Sequence, residues 1–145
     1  MNPRIFTIGY EKRSTQDFSK LLLENGVKVL LDVRYRPQSR KRGFSKKTLG
    51  ALCDSIGVKY VHDRGLGTPP EQLKIARAQG GYSTTLMDKY RTHLVKQIEP
   101  LRNARALMET AEICLMCYEL DATNCHRKVV AEEITRDTGT EIKHI

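Results

Sequence analysis

A chain that spells strand, helix, strand, helix, strand before residue 62 has few folds open to it. Val27–Val33 (VKVLLDV) is apolar at nearly consecutive positions, the pattern of a central strand covered on both faces. Ahead of it, Arg4–Ile8 (RIFTI) is a short β-rich run closed by Gly9. Ser14-Thr15-Gln16-Asp17 then opens a helix as a capping box with Asp in place of the usual Glu or Gln. Phe18, Leu21, Leu22 and Asn25 follow at helical spacing, and Gly26 stops them. Behind Val33, Ser45 reads as a second N-cap. Leu49, Leu52, Cys53 and Ile56 make a stripe ending at Gly57, and Val58–His62 is a third strand. Two strand–helix–strand units of this length predict parallel strands joined by right-handed crossovers.

The segment 68–110 carries no convincing strand. Leu86, Tyr90, Leu94 and Ile98 recur every four residues and predict a helix whose stripe is core, and Pro100 predicts the start of another through Leu107. Ile113–Tyr118 reads as a fourth strand, Cys125–Arg136 as a helix and Glu141–Ile145 as a short last strand. The expected fold is one α/β domain over residues 1–145. It is a single open, mostly parallel sheet of about five strands with helices on both faces, a Rossmann-like three-layer sandwich. Residues 68–110 are a helical insertion or lid between the third and fourth strands.

No apolar run approaches the roughly 18–20 residues that span a bilayer. Met1–Gly9 is too short and too polar for the apolar part of a secretory signal. The expected address is the cytoplasm, with no membrane partner. The four cysteines, Cys53, Cys114, Cys117 and Cys125, are too few to staple a chain of this length and are expected as reduced thiols. The net charge of +8 is focused, because Arg34–Lys47 (RYRPQSRKRGFSKK) holds seven basic residues and no acidic one. A focused patch predicts a polyanionic partner, and Arg36, Arg40, Lys41, Arg42, Lys46 and Lys47 are the expected nucleic-acid contacts; the alternative is a solvated loop. Phe44 has the chemistry to stack a base, yet reads better as a hydrophobic staple for the helix after Ser45.

In an open parallel sheet, ligands bind beyond the carboxyl ends of the strands, where strand order reverses. The segments there are Gly9-Tyr10-Glu11, Asp32-Val33-Arg34, His62-Asp63-Arg64 and Cys117-Tyr118-Glu119, and the last loop runs into Asn124-Cys125-His126-Arg127 at a helix start. These polar groups are expected to meet around one hollow of positive potential. Asp32 and Arg34, two apart on a strand, share a face. Arg34 is expected to grip a phosphate or carboxylate, the alternative being an internal ion pair with Asp32 or Glu119. Arg127, where free helix amides favour anions, is the second expected anion ligand, with Tyr10 beside them. Glu119 and His126 are the expected proton carriers, and Cys125, its thiol favoured as thiolate by the helix dipole, a candidate nucleophile.

The runs TIGYEKRSTQDF, LLDVRYRPQSRKRGFS, YVHDRGLGTP and CLMCYELDATNCHR, in this order and over essentially the whole chain, resemble the bacterial and archaeal family labelled domain of unknown function 488. The resemblance rests most on DVR…P.SR…F followed by C.E…CHR. It implies an α/β domain and an expected place in nucleic-acid metabolism, and it implies no mechanism.

Other signatures fail on geometry. Cys114-x-x-Cys117 has zinc-site spacing but lies in a strand, where residues three apart point to opposite faces. Cys117, Cys125 and His126 could share a metal across the loop, but no second cluster completes a tetrahedron, so neither metal nor cofactor is expected. A cysteine phosphatase needs Arg six residues after its Cys, and Thr123 and Ala131 stand at those positions. A rhodanese-like cradle and a GxxxxGK[ST] loop are missing too, and Gly65-Leu66-Gly67 follows the third strand rather than the first. The leading expectation is an enzyme acting on a phosphate-bearing substrate such as a nucleotide or nucleic acid. The rivals are a non-catalytic nucleic-acid-binding module built on residues 34–47, and a thiol-based redox or sulfur-transfer protein resting on Cys117 and Cys125.

Overall fold

The computed structural model describes residues 4–145; Met1–Pro3, part of the stretch whose polarity argues against a leader, lie outside the described residues. In chain order the elements are β1 (Arg4–Gly9), α1 (Thr15–Glu24), β2 (Val29–Asp32), α2 (Lys46–Ser55), β3 (Lys59–His62), a 3-10 turn (Arg64–Leu66), α3 (Pro70–Gln79), α4 (Thr84–Leu94), α5 (Ile98–Thr110), β4 (Ile113–Cys117), a second 3-10 turn (Ala122–Asn124), α6 (His126–Thr135) and β5 (Glu141–His144). The five strands form one sheet in the order β3-β2-β4-β1-β5, and every pairing is parallel.

This order follows from the hydrophobic pattern. β2 and β4 are buried at every position, so both need neighbours on each side and cover on each face. The half-exposed β3 and the mostly exposed β5 make the edges. The chain walks from β1 through β2 to β3 and then reverses. Right-handed crossovers therefore put α1 and α2 on one face and the later helices on the other. Two separate cores record this. Phe18, Leu22, Leu49 and Cys53 pack with Phe6, Ile8, Leu30, Cys114 and Met116 on one side. Tyr90, Leu94, Leu101, Ala104, Val130 and Ile134 pack with Ile5, Val29, Leu31, Leu115 and Cys117 on the other. Cys114 and Cys117 thus face opposite layers, as their strand spacing requires.

Three details depart from the sequence expectations. Ser14 caps α1 by accepting from the Asp17 amide at 3.0 Å, but Ser45, at the corresponding position of α2, makes no cap bond. Its hydroxyl closes the basic loop instead, accepting from the Ser39 amide at 3.0 Å and donating to the Ser39 carbonyl at 3.2 Å. The four-residue stripe also breaks. Leu86, Tyr90 and Leu94 are buried, but α4 ends at Leu94 and Ile98 begins α5, where it is 64% exposed. Pro100 sits in the first turn of α5, where no intrahelical donor is required of it. Finally, within residues 68–110, α4 and α5 contribute to the same core as α6, and the Tyr90 hydroxyl donates to the Leu66 carbonyl, while Ala76 of α3 packs with Tyr82 and Leu86 in a separate cluster. No helix among the described residues is long and apolar enough to cross a membrane.

Candidate functional site

β4 lies between β1 and β2, whose onward helices cover one face, while its own loop leads to α6 on the other. The crevice rule therefore points to the end of β4. Its loop is held down on β1. The Tyr10 amide donates to the Cys117 carbonyl (3.3 Å), the Glu11 amide to the Tyr118 carbonyl (2.8 Å), and the Leu120 amide to Glu11 Oε1 (3.0 Å). Gly9 makes that approach possible, because a Cβ there would overlap the Glu119 carbonyl. Asp121 then turns the chain by accepting from the Thr123 amide at 2.9 Å, which delivers Cys125 to the N-cap of α6.

The nominated residues form two buried knots rather than the rim of one hollow. In the first, Arg34 and Asp32 meet in a two-point ion pair, Nε to Oδ1 at 2.9 Å and Nη2 to Oδ2 at 2.7 Å. Arg34 Nη1 also donates to the Phe44 carbonyl (2.7 Å) and the Tyr10 hydroxyl (3.2 Å). Tyr60 donates to Asp32 Oδ2, and His62 Nε2 donates to the Arg34 carbonyl at 2.7 Å. Burial alone would lower the pKa of Arg34; the bonds to Asp32 outweigh it and raise the value above the ordinary one. The expectation that Arg34 grips an external anion meets a guanidinium already committed to internal acceptors. Tyr10 is likewise buried, stacked on Phe44 with centroids 4.7 Å apart.

The second knot surrounds two sulfurs. Cys117 and Cys125 are joined as a disulfide, whereas Cys53 and Cys114 are free and buried. The expectation of four reduced thiols meets one close pair of sulfurs, which the β4 loop and the helix cap bring together. Arg127 is 1% exposed. Its Nη1 donates to Cys117 Sγ at 3.2 Å and to the Glu119 carbonyl, and its Nη2 donates to the Leu120 carbonyl at 3.2 Å. Its Nε is buried without a hydrogen-bond partner among the described residues. Desolvation lowers the pKa of Arg127, against the opposing pull of Glu119. The Cys117 Sγ lies 3.4 Å from Glu119 Oε2. Desolvation pushes the Glu119 carboxyl above the usual range, opposed by its own backbone hydrogen bond and by Arg127.

His126 bridges the two knots. Its Nε2 donates to the Val33 carbonyl at 2.7 Å, one residue before Arg34. That bond fixes the proton on Nε2 and leaves Nδ1 with a lone pair, 3.8 Å from Cys125 Sγ. Burial brings its pKa down to about 4; the Val33 bond opposes the fall and Arg127 adds to it. The rings of Tyr82 and Tyr90 close over the imidazole at centroid distances of 6.2 and 5.2 Å. Sequence reasoning did not find these tyrosines, which lie on the helical segment between β3 and β4. Nor did it find Tyr60 or His62 as partners of the first knot, because β3 reaches them only through sheet pairing.

The basic loop divides into two classes. Arg36, Arg40, Arg42, Lys46 and Lys47 are exposed. Lys41 turns inward, donating from Nζ to the Tyr10 carbonyl at 2.9 Å. Phe44 is fully buried between Tyr10 and Phe18 and presents no face to a base.

The family model described as "Domain of unknown function DUF488" matches residues 14–134. A search of curated proteins finds no match. Among solved structures, the chain is similar to a crystal structure described as "Putative phosphatase (DUF442)" from Shewanella putrefaciens CN-32, with 16% identity and a TM-score of 0.50. The likeness covers 92% of this chain and 63% of that one, so this chain spans less than two thirds of its length. At that identity the likeness speaks of the α/β fold alone.

Proposed function

Because the chain belongs to the DUF488 family, whose description names no reaction, we propose a function read from the site: a thiol–disulfide centre that cycles Cys117 and Cys125 between the joined and dithiol states. One observation carries the reading. The two sulfurs are joined at the end of the central strand, with a guanidinium and a carboxyl on Cys117 and an imidazole lone pair beside Cys125.

The chemistry follows from those neighbours. Once a local opening uncovers the buried pair, a thiolate of an external dithiol attacks Cys125 Sγ, the S–S bond breaks, and Cys117 leaves as a thiolate stabilised by Arg127. Glu119, whose carboxyl desolvation raises above the usual range, passes a proton to Cys117 and recovers one from solvent. The dithiol's second thiolate then attacks its own bound sulfur, which releases Cys125 as a thiolate favoured by the N-terminus of α6. Two electrons pass to the pair, the dithiol ends as its own disulfide, and the Cys125 proton, taken from solvent, lies toward His126 Nδ1.

The phosphate-binding reading is weakened by the internal commitments of Arg34 and Arg127. The phosphatase description of the DUF442 structure adds nothing here, since Thr123 and Ala131 stand where a cysteine phosphatase would carry its Arg. Alkylation under denaturing conditions tests the thiol reading. Two free thiols before and four after dithiol treatment are expected, and Glu119→Gln should slow the reduction roughly tenfold or more. Four free thiols persisting in the presence of a disulfide oxidant would end it.

A second reading concerns the surface. Arg36, Arg40, Arg42, Lys46 and Lys47 are exposed and form no ion pair among the described residues, which favours a nucleic-acid contact on this loop. On duplex DNA, log K should fall against log salt by about 0.9 per phosphate contacted. Arg40→Ala with Lys47→Ala should reduce that slope by about 2. Failure to bind at low salt removes this reading and leaves the thiol centre untouched.

A further inference from the structure

We propose that the dithiol form of the centre is a binding site for a thiophilic divalent cation such as zinc, held by Cys117 Sγ, Cys125 Sγ and His126 Nδ1. The site rests on the same pair being reducible, and goes beyond it by assigning the reduced state a ligand.

The ligand atoms of Cys117, Cys125 and His126 lie within 4.8 Å of one another, and all three residues are buried. Two sulfurs and an imidazole nitrogen are a donor set suited to zinc, which takes Zn–S near 2.3 Å and Zn–N near 2.0–2.1 Å. Ligand atoms around one tetrahedral ion stand roughly 3–4 Å apart on those bond lengths, close to the 3.8 Å between Cys125 Sγ and Nδ1.

The strongest argument is the second nitrogen of the ring. A metal-bound histidine almost always donates its other N–H to a carboxylate, a carbonyl or water, which fixes the tautomer and aims the lone pair. His126 Nε2 does this already, to the Val33 carbonyl. The sequence objection was the missing fourth donor. Glu119, whose carboxyl lies 3.4 Å from Cys117 Sγ, is a neighbouring oxygen donor.

The charges also close. On binding, the two thiols lose two protons, so two thiolates offset the divalent ion. A guanidinium 3.2 Å from Cys117 Sγ would otherwise oppose a cation here.

The test uses cobalt(II) ions as the probe on the full chain. The protein is reduced with a dithiol, freed of reductant without air and titrated, with free thiols counted in the same sample under denaturing conditions. Expected are one cobalt per chain, a sulfur-to-cobalt charge-transfer band in the near ultraviolet, competition by zinc, and no binding by the disulfide form. Cys125→Ser and His126→Gln should each weaken binding at least about tenfold, and Cys53→Ser should leave it unchanged. Four free thiols without cobalt binding would overturn the metal site and spare the redox reading. A pair that stays joined under reduction would overturn both. Should Cys125→Ser fail to fold, His126→Gln decides: unchanged cobalt affinity in it overturns the site.

Discussion

Arg34→Ala should cost roughly 3–5 kcal/mol of unfolding free energy, the magnitude seen when one partner of a buried ion pair is removed. Asp32 is fully buried, and Arg34 supplies two of its hydrogen bonds through the side chain. In the variant, that carboxylate keeps only the Tyr60 hydroxyl and the backbone amide of residue 34, which is too little for a charge taken out of water. The Phe44 carbonyl and the Tyr10 hydroxyl lose a donor as well. A urea midpoint series measures the loss. Removing both charges, Asp32→Leu with Arg34→Met, should recover most of it, because the penalty belongs to the orphaned carboxylate rather than to the missing attraction. If Arg34 were chiefly a ligand residue, Arg34→Ala would cost under about 1 kcal/mol and the double variant would be no better.

Arg34 marks the boundary between what this sequence encodes locally and what only the packed fold decides. Asp32 and Arg34 stand two apart at the end of a strand, so their shared face was legible. Their mutual commitment was not, since it depends on Phe44 and Tyr60 arriving from other elements. The sheet was legible because the apolar runs Val27–Val33 and Ile113–Tyr118 leave no reading other than buried central strands, and they differ from the observed β2 and β4 only at their ends. Local caps were half legible: Ser14 and Ser45 look alike in sequence, and only Ser14 lacks a competing partner. The stripe through Ile98 failed because periodicity cannot show a helix ending and another starting in phase. The family was legible from the motifs around Asp32 and Cys125, and the matched residues 14–134 bear it out. Cys117 and Cys125 were both singled out, but their junction needs the loop path that Gly9 permits and Arg127 pins. No spacing rule encodes that path.

Acidification should strip about 3 kcal/mol of stability through His126 alone. In the folded chain its pKa is about 4, against roughly 6.5 when exposed to water. Between those values the unfolded chain takes up a proton that the folded chain refuses, so stability is fully present above about pH 6.5 and drains away as the pH falls toward 4. The raised carboxyl of Glu119 acts with the opposite sign above the ordinary Glu value, so the net wild-type curve is shallower than the His126 contribution. Urea midpoints of wild type and His126→Gln from pH 7.5 to 4 isolate that contribution, because the variant keeps Glu119 and lacks the imidazole. The variant curve should flatten by about 3 kcal/mol across the interval; two parallel curves would mean the ring is free to charge where it sits. Burial that makes His126 acid-sensitive also keeps its Nδ1 lone pair available beside Cys125. The liability and the chemistry therefore have one cause: an imidazole held neutral by the Val33 carbonyl on one side and denied water on the other.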